Sequence, residues 1–180
     1  MALLIRRMLR AARLEPAFYE EVEADKTAMG QAMLVVALSS LAAGLGAGEL
    51  GVKAVLANLV TAWLLWLLWA WLTWFIGTKL LPEAQTDADL GQILRTTGFS
   101  AAPGLLRLLG FLPVVGRIVT AVAQVWMLAA MVVAVRQALD YRGTGRALTV
   151  CLLGWLIYVI VGVVIAFTVM GRVDGGGVAA

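Results

Sequence analysis

The residues that most often do chemistry are scarce in this chain. Its 180 residues include no histidine and a single cysteine, Cys151, set inside an apolar run. Without histidine the commonest general base, metal ligand and haem axial ligand are all missing. Ser39, Ser40 and Ser100 have no imidazole to activate them, and Cys151 reads as a small packing residue. No nucleotide loop, nucleophile elbow, zinc spacing or paired carboxylate occurs. Glu20, Glu21, Glu23 and Asp25 form an acidic run whose spacing matches no calcium loop, and they read as a solvated helix start. The expectation is no enzyme, no metal and no cofactor.

What chemistry remains lies in apolar surroundings. Arg107 stands in the middle of GFSAAPGLLRLLGFLPVVGR, residues 98–117, with glycines at 98, 104, 110 and 116 and prolines at 103 and 113. An arginine at bilayer centre costs roughly 2.5–3.5 kcal/mol on insertion scales, so Arg107 must face a partner, water or headgroups. Interrupted helices are also how many transporters hold ions, which would make Arg107 an anion contact. Ser40, Gly44 and Gly48, spaced by four, form a small-residue ridge suited to close helix packing, inside the bundle or against a second copy. Five of the seven tryptophans, Trp63, Trp66, Trp69, Trp71 and Trp74, cluster in one apolar segment. Trp71 and Trp74 suit a membrane-interface belt. Trp63, Trp66 and Trp69 lie deeper and fit packing, lipid, a partner subunit or a carotenoid-like ligand.

The elements that must carry these residues are membrane helices. Hydrophobic residues make up 62% of the chain and charged ones 14%, with a mean hydropathy of +0.94, against about 45–50% and 25% in soluble domains. The spacing predicts an all-α integral membrane protein: a bundle of about five transmembrane helices over 28–48, 54–76, 98–116, 118–136 and 147–170. The second is about 35 Å long as a helix, enough to span. The segment 98–116 reads either as a broken span or as a re-entrant or interfacial hairpin. Residues 1–27 read as a basic amphipathic helix followed by the acidic segment. Leu4, Ile5, Met8, Leu9 and Ala12 fall on one side of that helix and Arg6, Arg7, Arg10 and Arg13 on the other. Such a helix either lies on anionic headgroups or orients the first span. The glycine-rich residues 171–180 read as a disordered tail.

Net charge is +3, but the basic residues sit at segment ends and form no stripe with interleaved aromatics, so nucleic acid is not an expected partner. With five spans and an internal N-terminus, ten basic residues lie inside and four outside, as the positive-inside rule requires. A re-entrant middle segment gives the same count, so charge places the N-terminus in the cytoplasm and leaves the C-terminus open.

Three stretches carry a family resemblance: EPAFYEEVEAD before the first span, RTTGFSAAPGLLRLLGFLPVVG in the middle, and VWMLAAMVVAVRQALDY before the last. Over about residues 14–170 the chain resembles the bacterial branch of the Yip family of Ypt/Rab-interacting membrane proteins. The family's glycine-aromatic-serine then proline pattern falls on Gly98, Phe99, Ser100 and Pro103. The resemblance implies a five-helix bundle in the bacterial inner membrane, and a non-enzymatic role as scaffold, membrane-organising or interaction subunit. Lipid and a protein partner or homo-oligomer are the implied contacts. Only about 27 residues precede the first span, so the small-GTPase binding of eukaryotic members is not carried over. Two further readings stay open: an accessory subunit of an energy-transducing or photosynthetic complex, and a small transporter or channel built around Pro103 and Arg107.

Overall fold

The computed structural model describes residues 1–49 and 51–175, with side chains described to 157 and at 159 and 160. Among these residues there are seven α-helices and no strand: α1 (Ala2–Ala12), α2 (Pro16–Ala24), α3 (Met29–Gly46), α4 (Val52–Phe75), α5 (Leu90–Phe99), α6 (Val115–Ala138) and α7 (Thr144–Gly175). A π-helical turn, Ile76–Leu80, prolongs α4, and a 3-10 segment, Ala102–Phe111, follows α5. Of the expected tail 171–180, residues 176–180 lie outside the described residues.

Local chemistry sets the boundaries. Pro16 occupies the first turn of α2, where its missing N–H leaves nothing unpaired. Asp89 and Gln92 start α5 with a reciprocal capping box: the Gln92 amide donates to Asp89 Oδ1 at 2.8 Å, and the Asp89 amide donates to Gln92 Oε1 at 2.6 Å. Gly48, at φ +84°, ends the α3 region in the left-handed conformation that glycine adopts without steric cost.

Residues 98–116 do not form one helix. Pro103 and the glycines halt α5 after Phe99, and the chain continues as a ten-residue 3-10 helix, far longer than the usual three or four residues. Contact with α3 holds it. A methyl added to Gly98 would stand 2.8 Å from Ala32 Cβ, one on Gly104 2.1 Å from Ser39 Oγ, and one on Gly110 3.0 Å from the Gly46 carbonyl oxygen. Ala32, Ser39 and Gly46 are seven apart, two turns each, so α3 offers a single stripe of small residues. Residues 98–110 run parallel to that stripe for about 21 Å, from the N-terminal end of α3 to its C-terminal end.

Three stretches, Lys26–Gly46, Val52–Leu80 and Val115–Ala138, are long and apolar enough to cross a membrane by length and composition, and Thr144–Ile157 is a shorter apolar one. Leu64, Leu68 and Trp71 on α4, Val122 and Val125 on α6, and Leu152 and Leu156 on α7 are exposed, an apolar exterior of the kind lipid covers.

Residues 2–24 fold onto this bundle. Phe18, Tyr19 and Val22 of α2 are fully buried in one core with Ala32, Val35, Trp66 and Phe99. Phe18 meets Phe99 edge to face with ring centroids 5.3 Å apart. The sidedness of α1 differs from the wheel: Leu4, Arg7 and Ala11 are buried, whereas Ile5 and Leu9 are exposed. Arg7 turns inward because partners await it there. Its Nη2 donates to Asp25 Oδ2 at 2.7 Å and its Nη1 to Gln31 Oε1 at 3.1 Å. Arg10 pairs with Glu15 and Glu21, so the acidic run neutralises α1 as well as facing solvent.

Candidate functional site

The residues of the motif RTTGFSAAPG meet at the junction of α2, α3, α4 and α5. Arg95, 5% exposed, donates from Nε to the carbonyls of Val22 at 3.0 Å and Glu23 at 3.1 Å, and from Nη2 to Glu23 as well. It thereby caps the open carbonyl end of α2 and sets its charge against the negative pole of that helix. Thr97 Oγ1 donates to the Ile93 carbonyl at 2.6 Å and accepts from Trp66 Nε1 at 3.2 Å, while Ser100 Oγ donates to the Thr97 carbonyl at 2.6 Å. Every hydroxyl in this stretch is satisfied within a turn, the condition for polar groups among apolar helices. Phe99 and Pro103 are buried, and Gly98 admits Ala32 and the Trp66 ring. This motif builds the fold rather than a reaction centre.

Beside it lies a cavity of about 720 Å³ among α3, α4, α5, the 3-10 segment, α6 and α7. Its inner wall holds Ser39, Trp66, Thr97, Ser100 and Arg107; Asn58, Thr61, Leu65, Gln124, Leu128 and Trp155 stand further out. Arg107 donates from Nε to the Gly104 carbonyl at 3.1 Å, and from Nη2 to Ser39 Oγ at 2.7 Å and the Ser39 carbonyl at 3.0 Å. Among the described residues it pairs with no carboxylate, and its Nη1 has no protein acceptor. Glu49, the one carboxylate lining the cavity, instead accepts from Asn58 Nδ2. A second cavity of about 490 Å³ shares Ala43, Ala47, Arg107 and Gln124 with the first and adds Arg117.

The other residues singled out in the sequence separate into different settings. Ser40 Oγ donates to the Asn58 carbonyl at 3.2 Å, and a methyl on Gly44 would lie 3.3 Å from Asn58 Nδ2, so both face α4 across the cavity edge. Gly48 meets nothing within 4 Å. Trp63 Nε1 donates to the Met33 carbonyl at 3.2 Å. Trp69 lines the cavity with its buried indole N–H unpartnered, and Trp74 Nε1 donates to the Ala88 carbonyl at 3.1 Å. Sequence reasoning named Ser39 and Gly104 without the close approach they make, and passed over Gly46, Asn58 and Gln124. Those two amides in otherwise apolar spans were the available signal.

Among the described residues no three histidines, cysteines or carboxylates gather as metal ligands. The geometry brings together one cation, several hydroxyls and amides, and indole rings, which are means to hold a molecule. No curated protein and no solved structure matches the chain. The family model described as the Yip1 domain matches residues 14–166, most of the chain, and the protein belongs to the Yip1 domain family of membrane proteins.

Proposed function

We propose that this protein is a non-enzymatic, membrane-organising subunit of the bacterial branch of the family, which acts by lateral association through its helices with another membrane protein or a second copy. The observation that carries this reading is the docking of α1 and α2 on the bundle through Leu4, Ala11, Phe18, Tyr19 and Val22, which are buried in its core. Phe18, Tyr19 and Val22 tie α2 to the core, while α4, α6 and α7 present apolar residues outward. Five crossings with a cytoplasmic N-terminus suit this arrangement, supported by the parallel run of 98–110 along α3 and by the basic residues gathered at the end that holds Arg7, Arg95 and Arg136. The test is extraction of a C-terminally tagged protein from its native inner membrane in an uncharged detergent, followed by native mass spectrometry. A homo-oligomer, or a membrane protein at fixed stoichiometry, is the expected result; a monomer carrying only bulk lipid overturns it.

One observation favours a second reading, a small anion carrier: Arg107 lies where two cavities join, and Arg117 lines the outer one. Anion flux into vesicles containing the protein, lost in Arg107→Gln, would replace the first reading with the second.

A further inference from the structure

We infer that the 720 Å³ cavity is a binding site for a single-chain anionic amphiphile, with its acidic headgroup on Arg107 and its alkyl chain running out past Leu65, Leu128 and Trp155. The inference is independent of the scaffold reading, since a monomer can hold such a molecule as well as an oligomer can.

The first support is charge. Three bonds to a carbonyl, a second carbonyl and a hydroxyl solvate the Arg107 guanidinium but do not neutralise it. Arg107 is half-buried among packed helices, a setting in which a guanidinium is favoured by a nearby opposite charge. Among the described residues the one carboxylate on the wall, Glu49, is engaged by Asn58, and those of the adjoining cavity add another cation, Arg117, and no acid. No carboxylate among the described residues meets Arg107, so a bound anion would supply the counter-charge. Nη1 supplies the free donors, and a carboxylate or phosphate oxygen is the acceptor that such a donor binds most strongly.

The second support is shape and access. The volume falls within the about 300–1,000 Å³ typical of small-molecule sites, room for one chain beside a headgroup. Leu65, Leu128 and Trp155 are exposed on the outward surfaces of α4, α6 and α7, the surfaces that lipid covers, so the cavity mouth opens sideways into the bilayer. A hydrated inorganic anion gains nothing from Leu65, Leu128 and Trp155, whereas an amphiphile already has its chain there. The unpartnered indole N–H of Trp69 gives the inner wall one more donor to satisfy.

The test uses the full chain in a maltoside detergent. Dibromostearate, whose bromines quench tryptophan on contact, is titrated while Trp66, Trp69 and Trp155 report, and native mass spectrometry counts what is bound. Saturable quenching by one molecule is expected, displaced by oleate or lysophosphatidate but not by oleyl alcohol. Which of the two acids displaces better tells whether a carboxylate or a phosphate headgroup is the preferred source. Arg107→Gln should weaken binding about tenfold or more, the worth of a charge-assisted bond, and Arg107→Lys should restore part of it. Equal displacement by oleyl alcohol, or unchanged affinity in Arg107→Gln, overturns the assignment. Should Arg107→Gln fail to fold, Thr61→Phe decides: Thr61 is exposed at the rim and leaves Arg107 intact, so saturable quenching must disappear, and its persistence overturns the site.

Discussion

The same substitution on one helix should give three different signs. In α3 a methyl added to Gly30 meets nothing within 4 Å; one added to Gly44 meets Asn58 Nδ2 at 3.3 Å; one added to Gly46 stands 1.9 Å from the carbonyl oxygen of Arg107. Gly30→Ala loses only backbone freedom in the unfolded chain and should stabilise by up to about 1 kcal/mol. Gly44→Ala presses on the end of a side chain that can turn aside, so it should be near neutral. Gly46→Ala meets backbone, which can yield only if the whole 3-10 segment moves away by more than an ångström. Overpacking of that kind costs about 1–3 kcal/mol, and the shift would also stretch the bonds from Arg107 to Ser39. A total of about 2–4 kcal/mol follows, or a melting point lower by roughly 5–15 °C for a chain of this size. Thermal melts in detergent, followed by tryptophan fluorescence, measure all three variants side by side. Should Gly46→Ala melt with the parent chain, the packing of residues 98–110 on α3 derived above is wrong.

Val114, 77% exposed, sits at φ +62° and ψ −59°, with the Val115 amide bonded to the Pro113 carbonyl at 2.6 Å: a tight three-residue turn with a β-branched residue in the left-handed region. Val114→Gly should raise stability by about 1 kcal/mol in the same melts, and no gain would deny the strain. Burial, reinforced by the nearby Asp140, pushes the Glu23 carboxyl up to about 7. A raised acid pKa means that the folded protein binds more protons than the unfolded chain between the ordinary value of 4.5 and 7. Stability should therefore fall as pH rises across that window, and Glu23→Gln should flatten the slope; an unchanged slope in melts at pH 5, 6 and 7 rejects the assignment. Five crossings place Asp87 inside and Val114 outside, so Asp87→Cys and Val114→Cys should react with a membrane-impermeant maleimide from opposite faces of sealed vesicles, with labelling from one face ruling that topology out.

The apolar runs that became α3, α4 and α6 were plain in the sequence, because lipid demands long uncharged helices and little else resembles them. The interruption at 98–116 was equally plain from Pro103, Pro113 and four glycines. What the interruption packs against was not. Gly46 and Gly104 matter through backbone atoms of a distant segment, and no periodicity within α3 distinguishes Gly46 from Gly44. The inward turn of Arg7 was hidden for a similar reason: a helical wheel weighs only hydropathy, and the partners Asp25 and Gln31 lie 18 and 24 residues away. Arg107 was visible as an anomaly, yet the wall around it comes from six separate elements that only the fold assembles.

The burial of α1 and α2 also has a bearing on how the protein is made. Phe18 is covered by Phe99, the end of α2 is capped by Arg95, the Ala12 carbonyl accepts from Trp126 Nε1, and Glu20 accepts from Gln137. Every one of these partners is synthesised about 70 to 120 residues later. At ribosomal speeds of about 5–20 residues per second, the first helix waits several seconds before its berth exists. During that interval its exposed Ile5 and Leu9, flanked by Arg6 and Arg13, have the bilayer surface as their only shelter. One side of α1, with Ile5 and Leu9, thus suits the membrane surface while the chain is made, and the other, with Leu4, Arg7 and Ala11, packs into the bundle only once its later partners exist.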